Sequence, residues 1–414
     1  MNTATEQASW WGTLKDPEFL TNPYPQLKAW REQGAIHHDA ASDIYFVLGH
    51  REFSKIGRSP KMGRDTRLWR DGWATPEAKA RDPLSYELFS EIQPQMINVN
   101  PPDHRRMRAV FEEAFKPAAV AALAPMIEAE ARRLIEQLGD GGEVEFIKQY
   151  AAPLPLRVVC NLFDIPASMD DTIRGWSESF IRVLDIMVSP EHRQEALVAI
   201  REFKAYVKGL IDERRKHPGN NMLDTLVAAF DAGILSEQEA LTNLVSMLVA
   251  GHETTVSLIG NGMLCLLRNP AELAKLRADR SLMPGAVEEC MRYEPGGNMI
   301  LRVAIEDFPI DDMVIPAGSM VLGLIGAVNR DPGVFADAER FDIARPTNNL
   351  QMTFGAGAHT CLGAGFARLE GKIAFNALLD HFDRLELAGE PRWRLDRMNA
   401  RSLASLPMRM GRSG

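Results

Sequence analysis

The apolar stretch from Leu241 to Leu267 is the one segment of the sequence that has the length of a membrane span, and it limits the folds open to the chain. Polar residues interrupt it near the centre, among them His252 and Glu253. A central glutamate alone is costly in lipid. Ser236 followed by Glu239 is a capping-box pattern, which predicts the start of a helix. We therefore expect a long helix through the middle of a large core and no membrane span.

The composition suits such a core. The 414 residues are 45% hydrophobic and 25% charged, which excludes a disordered chain, a collagen-like chain and a small disulfide scaffold. Lys and Arg number 47 against 56 for Asp and Glu, so the formal net charge is −9 and no nucleic-acid partner is expected. Length alone favours two or three domains, but no Ser-, Gly- or Pro-rich linker divides the chain. Residues 1–414 are therefore predicted to form a single domain.

The cysteines indicate the redox compartment. Cys160, Cys265, Cys290 and Cys361 are far apart and form no C-x-x-C pair. This spacing is typical neither of a zinc site nor of a disulfide framework. The segment from Met1 to Leu20 has charged residues and no apolar region of the signal-peptide kind. A cytoplasmic location with mostly free thiols is expected.

Helical periodicity dominates the rest of the chain. Apolar residues recur at three- and four-residue steps in the segments 102–116, 118–138, 169–188, 191–216, 282–293 and 362–382. Strand-like runs are short and lie at 44–48, 299–305 and 320–324. The segment from Arg58 to Gln95 is irregular, and long irregular segments are often binding loops. The fold is thus predicted to be mostly α with small β-sheets, and the segment from Arg58 to Gln95 is expected to control substrate entry.

The segment from Phe354 to Gly363, FGAGAHTCLG, carries the strongest chemical pattern. Closely spaced glycines let the backbone pass a bulky flat group at short range. Cys361 directly precedes a predicted helix, whose N-terminus favours the thiolate, and a single thiolate in such a loop suits one axial position of a haem iron. A buried structural cysteine is one alternative. A phosphate loop is another, but Thr360 stands where G-x-G-x-x-G needs glycine and no P-loop lysine follows.

Two further patterns lie on predicted helices. Glu289 and Arg292 are three residues apart and can form an ion pair, which on an exposed helix contributes little. Glu253 beside Thr254 in an apolar helix is costly unless it is used in chemistry or paired with a distant arginine. Gly251 and the Thr254 hydroxyl predict a local widening or kink there.

A third pattern follows Asn100-Pro101-Pro102, which predicts a helix start. His104 and Arg108 share one face of that helix, an arrangement suited to an anionic carboxylate. A basic surface face is the alternative.

These motifs together resemble those of the cytochrome P450 superfamily. The segment from Phe354 to Gly363 matches that family's F-G-x-G-x-H-x-C-x-G loop at every defined position, and residues 250–254 match its A-G-x-[DE]-T groove. Its E-x-x-R and H-x-x-x-R pairs are matched by the two helical pairs above. The resemblance extends from Asn22-Pro23-Tyr24-Pro25 to near Ser402. It implies a cytochrome P450 fold, in which a triangular helical bundle encloses haem beside a small β-rich lobe.

The resemblance also implies residue roles. Haem b would be the cofactor and Cys361 its iron ligand. Further haem contacts are implied for His104, Arg108, Arg302, Phe354 and His359. Thr254 would stabilise the partly reduced co-substrate O2 by hydrogen bonding, and Glu253 would help to relay the protons needed for its activation. A buried structural network is implied for Glu289, Arg292 and Arg340. A substrate pocket is implied at Ile97, Val249, Ala250, Asn298, Met299, Ile300 and Leu403.

The implied activity is that of a soluble bacterial-type monooxygenase, which inserts one oxygen atom from O2 into a C–H bond of a small lipophilic substrate. No flavin, NAD or iron–sulfur motif is present in the sequence, so a separate ferredoxin with an NAD(P)H-dependent reductase is expected to supply electrons to a monomer. Arg105 and Arg106 are the expected docking cations. The alternatives are a peroxide-driven oxygenase, which Glu253 and Thr254 disfavour, and a haem sensor or carrier without catalysis.

Overall fold

The computed structural model describes residues 10–183 and 189–412, and these residues are mostly helical with small sheets, as predicted. The helices are α1 (Trp10–Thr13), α2 (Pro17–Thr21), α3 (Tyr24–Gln33), α4 (His50–Arg58), α5 (Pro76–Arg81), α6 (Pro83–Glu91), α7 (Asp103–Glu112), α8 (Pro117–Ala121), α9 (Ala124–Leu138), α10 (Pro153–Leu162), α11 (Asp170–Val183), α12 (Pro190–Lys216), α13 (Met222–Asp231), α14 (Glu237–Arg268), α15 (Pro270–Ala278), α16 (Met283–Tyr293), α17 (Ile325–Val328) and α18 (Ala364–His381). The strands are β1 (Ile36–Asp39), β2 (Ile44–Val47), β3 (Met62–Gly63), β4 (Gly141–Glu145), β5 (Met299–Ala304), β6 (Phe308–Ile310), β7 (Met313–Ile315), β8 (Met320–Leu324), β9 (Arg384–Leu387), β10 (Arg392–Trp393), β11 (Leu403–Ser405) and β12 (Pro407–Gly411).

Helix α14 is the long central helix that the apolar stretch predicts. Its N-cap is Ser236, whose side chain accepts from the Glu239 N–H while the Glu239 carboxylate accepts from the Ser236 N–H. The first half of α14 packs into one apolar cluster with α12 and α13, and the second half packs into another with α9, α16 and α18. The residues between the two clusters include Ala250 and Thr254, which are exposed. The helix is continuous there, so the predicted widening is absent from this described stretch.

The other predicted helices are confirmed with local corrections. The segment predicted at 118–138 is two helices, because Pro125 lacks an N–H and favours a new start, here at the beginning of α9. The segment predicted at 169–188 runs in α11 to Val183, and its last residues lie outside the described ranges. No helix among the described residues is long and apolar enough to cross a membrane.

The prediction of an irregular segment from Arg58 to Gln95 is wrong for its second half, which contains α5 and α6. Thr75 and Asp82 cap these helices through their side chains, and a proline follows each cap. Both signals are present in the sequence as Thr-Pro and Asp-Pro pairs.

The largest sheet has the strand order β1-β2-β8-β5-β3. Strands β2 and β8 run parallel, whereas β5 and β8 are antiparallel with Met299 opposite Leu324. A smaller sheet has the order β4-β12-β9, and the pairs β10-β11 and β6-β7 complete the set among the described strands. The predicted strands β2, β5 and β8 are confirmed as the three central strands of the largest sheet. They position the start of β5 beside the site described next.

Candidate active site

The loop before α18 holds Cys361 in a fixed position. The Cys361 N–H donates to the Phe354 carbonyl across 2.9 Å, which closes the loop. Gly355 and Gly357 have φ values of +75° and +79°, conformations that favour glycine. A Cβ at Gly357 would lie 2.0 Å from the Gly57 carbonyl oxygen, so the loop packs directly on the backbone of α4. Glycine is therefore required at position 357 by both conformation and packing.

Cys361 is accessible to solvent, although many protein atoms surround its thiol. Burial raises the pKa of the thiol, and the Gly363 N–H together with Arg108 and Arg368 opposes this effect. In the protein alone, desolvation thus outweighs the stabilisation of the thiolate that the sequence predicts from the helix N-terminus. A bound metal ion would deprotonate the thiol, since a coordinating thiol loses its proton outright.

A basic cluster lies beside the cysteine loop. His104 is 2% exposed, and its ring lies 3.9 Å from the His359 ring. Neither nitrogen of His104 has a hydrogen-bond partner among the described residues, and the same holds for Nε of the buried Arg302. Arg64, which the sequence did not predict, donates from Nη1 to the Leu301 carbonyl. The cluster therefore offers N–H groups that no protein acceptor takes up.

The pKa values of this cluster are lowered because its cations are buried close to one another. Burial, and then the nearby Arg64, lower the pKa of Arg302 to about 9. Burial lowers the pKa of Arg64 to about 10. Burial followed by the nearby cations, His104 first, lowers the pKa of His359 to about 2. Such a cluster fits an anionic group, and the two carboxylates of a haem are such a group, so these residues fit the cofactor that the cysteine loop implies.

Arg108 connects this cluster to the cysteine loop. Its Nη1 donates to the Thr360 carbonyl across 3.0 Å, and its Nε donates to Glu112 across 3.2 Å. His104 and Arg108 lie one turn apart on α7, as their spacing predicts.

The acid and the hydroxyl on α14 have different partners. Thr254 is exposed, and its Oγ1 donates to the Ala250 carbonyl across 2.9 Å. Glu253 Oε1 lies 3.3 Å from His252 Nε2, and its Oε2 lies 3.2 Å from Arg397 Nη1. Burial would raise the pKa of Glu253, but His252 and then Arg397 lower it to about 2. Glu253 is therefore ionised and held by its neighbours.

The start of β5 connects the two parts of the site. A Cβ at Gly296 would lie 3.5 Å from the Thr254 carbonyl oxygen, so the chain passes directly beside α14 there. Four residues later, Ile300 Cδ1 would lie 3.4 Å from a Cβ at Gly355 of the cysteine loop. The segment from Gly296 to Ile300 thus lies between Thr254 and that loop.

The predicted pocket residues divide into two groups. The Ile97 side chain is 47% exposed, Ala250 is exposed, and residues 298–300 are half-buried. Val249 and Leu403 are 3% and 2% exposed and pack in the two core clusters. The Asn298 amide donates from Nδ2 to the Met398 carbonyl across 3.0 Å, so it ties the C-terminal segment to β5.

Glu289 and Arg292 form a fully buried bidentate pair with two N···O distances of 2.8 Å. The third member of the network is Arg345, whose Nε donates to Glu289 Oε1 across 3.3 Å. The assignment of Arg340 to this network is wrong, because its side chain is 60% exposed and lies 3.5 Å from Asp342. Only the Arg340 carbonyl takes part, accepting from Arg292 and Arg345.

Asn329 links this buried network to the cysteine loop. Its carbonyl accepts from Arg292 across 2.9 Å. Its side chain accepts from the Met352 N–H and donates to Thr353 Oγ1, and Thr353 directly precedes Phe354. The network therefore supports the loop through one buried asparagine.

Arg105 and Arg106, the two expected docking cations, have different surroundings. Arg106 donates to both oxygens of Glu239, at 2.7 and 3.0 Å, and to Asp103. Arg105 is exposed, and no ion pair involves it among the residues that the structure describes. The carboxylate that caps α14 thus holds Arg106, which makes Arg105 the stronger candidate for a docking cation.

Arg64, Arg345, Arg397 and Asn329 were missed by the sequence interpretation. Arg345 lies in the same segment as Arg340, so the segment was identified and the residue was not. For Arg64 and Arg397 the sequence offers no distinguishing signal, since each is a single arginine next to an aspartate.

Comparisons with known proteins agree with this geometry. The family model for "Cytochrome P450" matches residues 75–409. The chain is 35% identical over 395 residues to the biotin biosynthesis cytochrome P450 of Bacillus subtilis, covering 94% of this chain and 97% of that protein. It is 42% identical over 326 residues to cytochrome P450 107B1 of Saccharopolyspora erythraea, covering 78% of each. The crystal structure of P450BioI in complex with hexadec-9Z-enoic acid ligated acyl carrier protein superposes with a TM-score of 0.87 at 34% identity, covering 95% of this chain and 100% of that one.

Proposed function

The chain belongs to the cytochrome P450 family, and we propose that it hydroxylates a C–H bond of a long acyl chain with electrons from a separate ferredoxin and its NAD(P)H-dependent reductase. As a P450 monooxygenase it is a haem b enzyme with O2 as co-substrate. The observation that carries the proposal is that the start of β5 lies between Thr254 and the Cys361 loop. We further propose that residues 1–414 act as one domain and as a cytoplasmic monomer.

Haem, when bound, supplies the redox iron at which O2 is reduced and one oxygen atom is transferred to carbon. Cys361 Sγ is the proposed iron ligand. A ring N–H of His104 and the Nε–H of Arg302 are the proposed donors to the haem carboxylates, because these buried atoms have no partner among the described residues. Arg64, whose Nε and Nη1 donate to the Ile97 and Leu301 carbonyls, is proposed to contribute its positive charge. Arg108, His359 and Phe354 complete the set.

The proposed substrate wall consists of Ile97, Met299 and Ile300, with Ala250 facing the same site. These side chains are apolar, so they orient a hydrocarbon chain and exclude water. A long acyl chain is favoured over other lipophiles because the P450BioI structure is named for its complex with an acyl carrier protein to which such a chain is ligated.

Thr254 and Glu253 are the proposed proton donors. The Thr254 hydroxyl, one turn above Ala250, can exchange its bond to the Ala250 carbonyl for a bond to a group at the exposed face. Glu253 is ionised and its side chain is 16% exposed, so it first takes a proton from solvent. It then passes that proton toward Thr254 by rotating away from Arg397.

Electron delivery is proposed at the exposed face of α7 that carries Arg105. The Arg105→Glu variant should slow reduction by a ferredoxin, most strongly at low ionic strength. Arg174 on α11, an exposed arginine paired with Asp171, provides the control site. Equal slowing by Arg174→Glu would contradict a specific docking role.

The function is tested by turnover of hexadec-9Z-enoic acid with a ferredoxin, its reductase, NADPH and ¹⁸O2. The expected product is a hydroxylated acid that carries one ¹⁸O atom. Turnover with hydrogen peroxide alone would favour the peroxide-driven alternative. Failure of every acid from decanoic to hexadecanoic to change the ferric absorption spectrum would reject the acyl-chain proposal.

A further inference from the structure

The backbone from Glu91 to Met96 leads into Ile97, and side chains of α14 hold it. Gln238 Nε2 donates to the Glu91 and Gln93 carbonyls across 3.2 and 2.9 Å. Thr242 Oγ1 donates to the Pro94 carbonyl. The Met96 N–H donates to Asn243 Oδ1 across 2.8 Å. This segment is therefore fastened to the first turns of α14.

Lys204 of α12 adds a buried charge to this fastening. Its Nζ donates to Glu91 Oε1 at 2.8 Å, to the Glu91 carbonyl at 3.3 Å and to Gln238 Oε1 at 3.0 Å. These three acceptors match the three protons of an ammonium group. The Lys204 side chain is 11% exposed. Its removal would therefore leave Glu91 Oε1 and Gln238 Oε1 without this donor, at a place that water does not reach easily.

Two other ion pairs join α6 to α12 and involve residues that precede Glu91. Arg201 pairs with Glu87, and both side chains are 50% exposed. Arg193 pairs with Asp82, the N-cap of α6, at 26% and 37% exposure. Both pairs are more exposed than Lys204–Glu91, which has exposures of 11% and 26%, and neither involves a residue of the segment from Glu91 to Met96. Lys204 is therefore the described cation whose ion pair holds this segment.

The far side of Ile97 is held against β5. Arg64 Nε donates to the Ile97 carbonyl across 3.1 Å, and Arg64 Nη1 donates to the Leu301 carbonyl across 3.2 Å. Ile97 thus lies between two anchored points, with Lys204 and α14 on one side and β5 on the other. Its side chain is 47% exposed.

We propose that Lys204 is a positioning residue that sets the Ile97 wall relative to β5 and so determines which substrates fit by size. The inference rests on the proposed function, since it takes Ile97 as part of the substrate wall. Lys204 acts through the segment from Glu91 to Met96 and does not touch the substrate. Without Lys204 the segment moves, and the wall no longer fits a long chain closely.

The test compares Lys204→Met with Lys208→Met in the haem-loaded protein. Lys208 lies one turn further along α12 and pairs with Glu237, both about half exposed, so it is a matched control. The probes are imidazole, which is small, and 1-dodecylimidazole, whose chain must pass the wall. Lys204→Met should weaken 1-dodecylimidazole binding about three- to tenfold relative to imidazole. Lys208→Met should change that ratio less than about twofold.

Two further readouts separate positioning from general destabilisation. Amide hydrogen exchange of residues 92–97 should increase in Lys204→Met and not in Lys208→Met. Lys204→Arg, which keeps the charge and the donors, should restore most of the binding ratio. If Lys204→Met does not fold, Glu91→Gln should shift the same ratio in the same direction.

An unchanged ratio in Lys204→Met, or an equal change in Lys208→Met, would overturn the inference. Failure of the proposed function has a different signature. In that case no acid from decanoic to hexadecanoic would change the ferric absorption spectrum of the unsubstituted protein, although imidazole still would.

Discussion

Arg397 Nη1 lies 3.2 Å from Glu253 Oε2, so a cation from the segment between β10 and β11 holds the acid that precedes Thr254. The Arg397 side chain is 1% exposed and that of Glu253 is 16% exposed. Water screens such a pair poorly, so Arg397 adds to the larger effect of His252, and together they lower the Glu253 pKa despite burial.

Substituting Arg397 should move the pH dependence of turnover. In Arg397→Met the Glu253 pKa should rise, because burial then opposes ionisation with His252 as the main remaining partner. The acidic limb of the kcat profile should shift upward in pH. Arg384→Met is the control, since the Arg384 side chain is 55% exposed and lies 3.7 Å from Glu386. An unshifted limb in Arg397→Met would contradict a role for this pair in holding Glu253.

The same pair should contribute to stability in a defined pH range. The folded pKa of about 2 lies below the ordinary value of 4.5, so the contribution is present above pH 4.5 and is lost as the pH falls toward 2. Loss of one partner of a buried pair costs about 3–5 kcal/mol. Urea unfolding at several pH values measures the free energy of unfolding of both proteins. The wild type should be more stable than Arg397→Met near neutrality, and this difference should be smaller below pH 4.5. A stability difference that does not vary with pH would contradict a stabilising ion pair between Arg397 and Glu253.

Thr254 and Thr255 provide a direct comparison of a functional and a structural hydroxyl. Thr254 is exposed, whereas Thr255 is 2% exposed, and each donates to the carbonyl four residues earlier. Thr254→Ala should lower the product formed per O2 consumed about tenfold or more, because a positioned proton donor is lost. Thr255→Ala should leave this ratio nearly unchanged. Oxygen-electrode and product assays measure it, and equal ratios in the two variants would remove Thr254 from the mechanism.

The sequence predicted the elements whose determinants are local. The Ser236 and Glu239 capping box gave the start of α14, and the glycine spacing indicated the conformation of the cysteine loop. Short strands such as β3 and β10 have two residues each, too few for an alternation pattern. Their existence depends on partners far away in the chain.

The residues that sequence reasoning missed share one cause. Arg345 and Arg340 are both compatible with a buried network, but only the folded path of the chain turns Arg345 inward. Arg397 meets Glu253 only because the C-terminal segment crosses α14. Spacing along a helix predicts which residues share a face of that helix. It does not predict which cation from a distant part of the chain contacts that face.

The corrected network makes a clear stability prediction. Arg345→Met should lower the free energy of unfolding by about 3–5 kcal/mol, because it removes the donor to the Ala336 and Asp337 carbonyls and one of the two cations that face the buried Glu289. Arg340→Gln should change it by less than about 0.5 kcal/mol, since its side chain is on the surface. Denaturant titration compares the two, and a larger loss for Arg340→Gln would restore the original assignment.

Glu370 should make stability fall with rising pH. It is fully buried, both carboxylate oxygens lack partners among the described atoms, and burial raises its pKa from 4.5 to about 8. A raised folded pKa stabilises below pH 4.5, and the contribution is lost as the pH rises toward 8. The stability of Glu370→Gln relative to wild type should therefore increase with pH over this range, by at most about 1.4 kcal/mol per pH unit.

The control for Glu370 is Asp380→Asn on the same helix, where the carboxylate is 70% exposed. Its stability relative to wild type should be nearly independent of pH. A flat difference for Glu370→Gln would mean that Glu370 is ionised in the folded protein.

The reduced carbon monoxide spectrum tests the central claim, that Cys361 is the thiolate ligand of a haem iron. The wild-type holoprotein should have the red-shifted Soret band typical of thiolate ligation, and Cys361→His should bind haem and lose that band. A Cys361→His variant that keeps the thiolate-type band, or a wild-type holoprotein that never has it, would contradict the account.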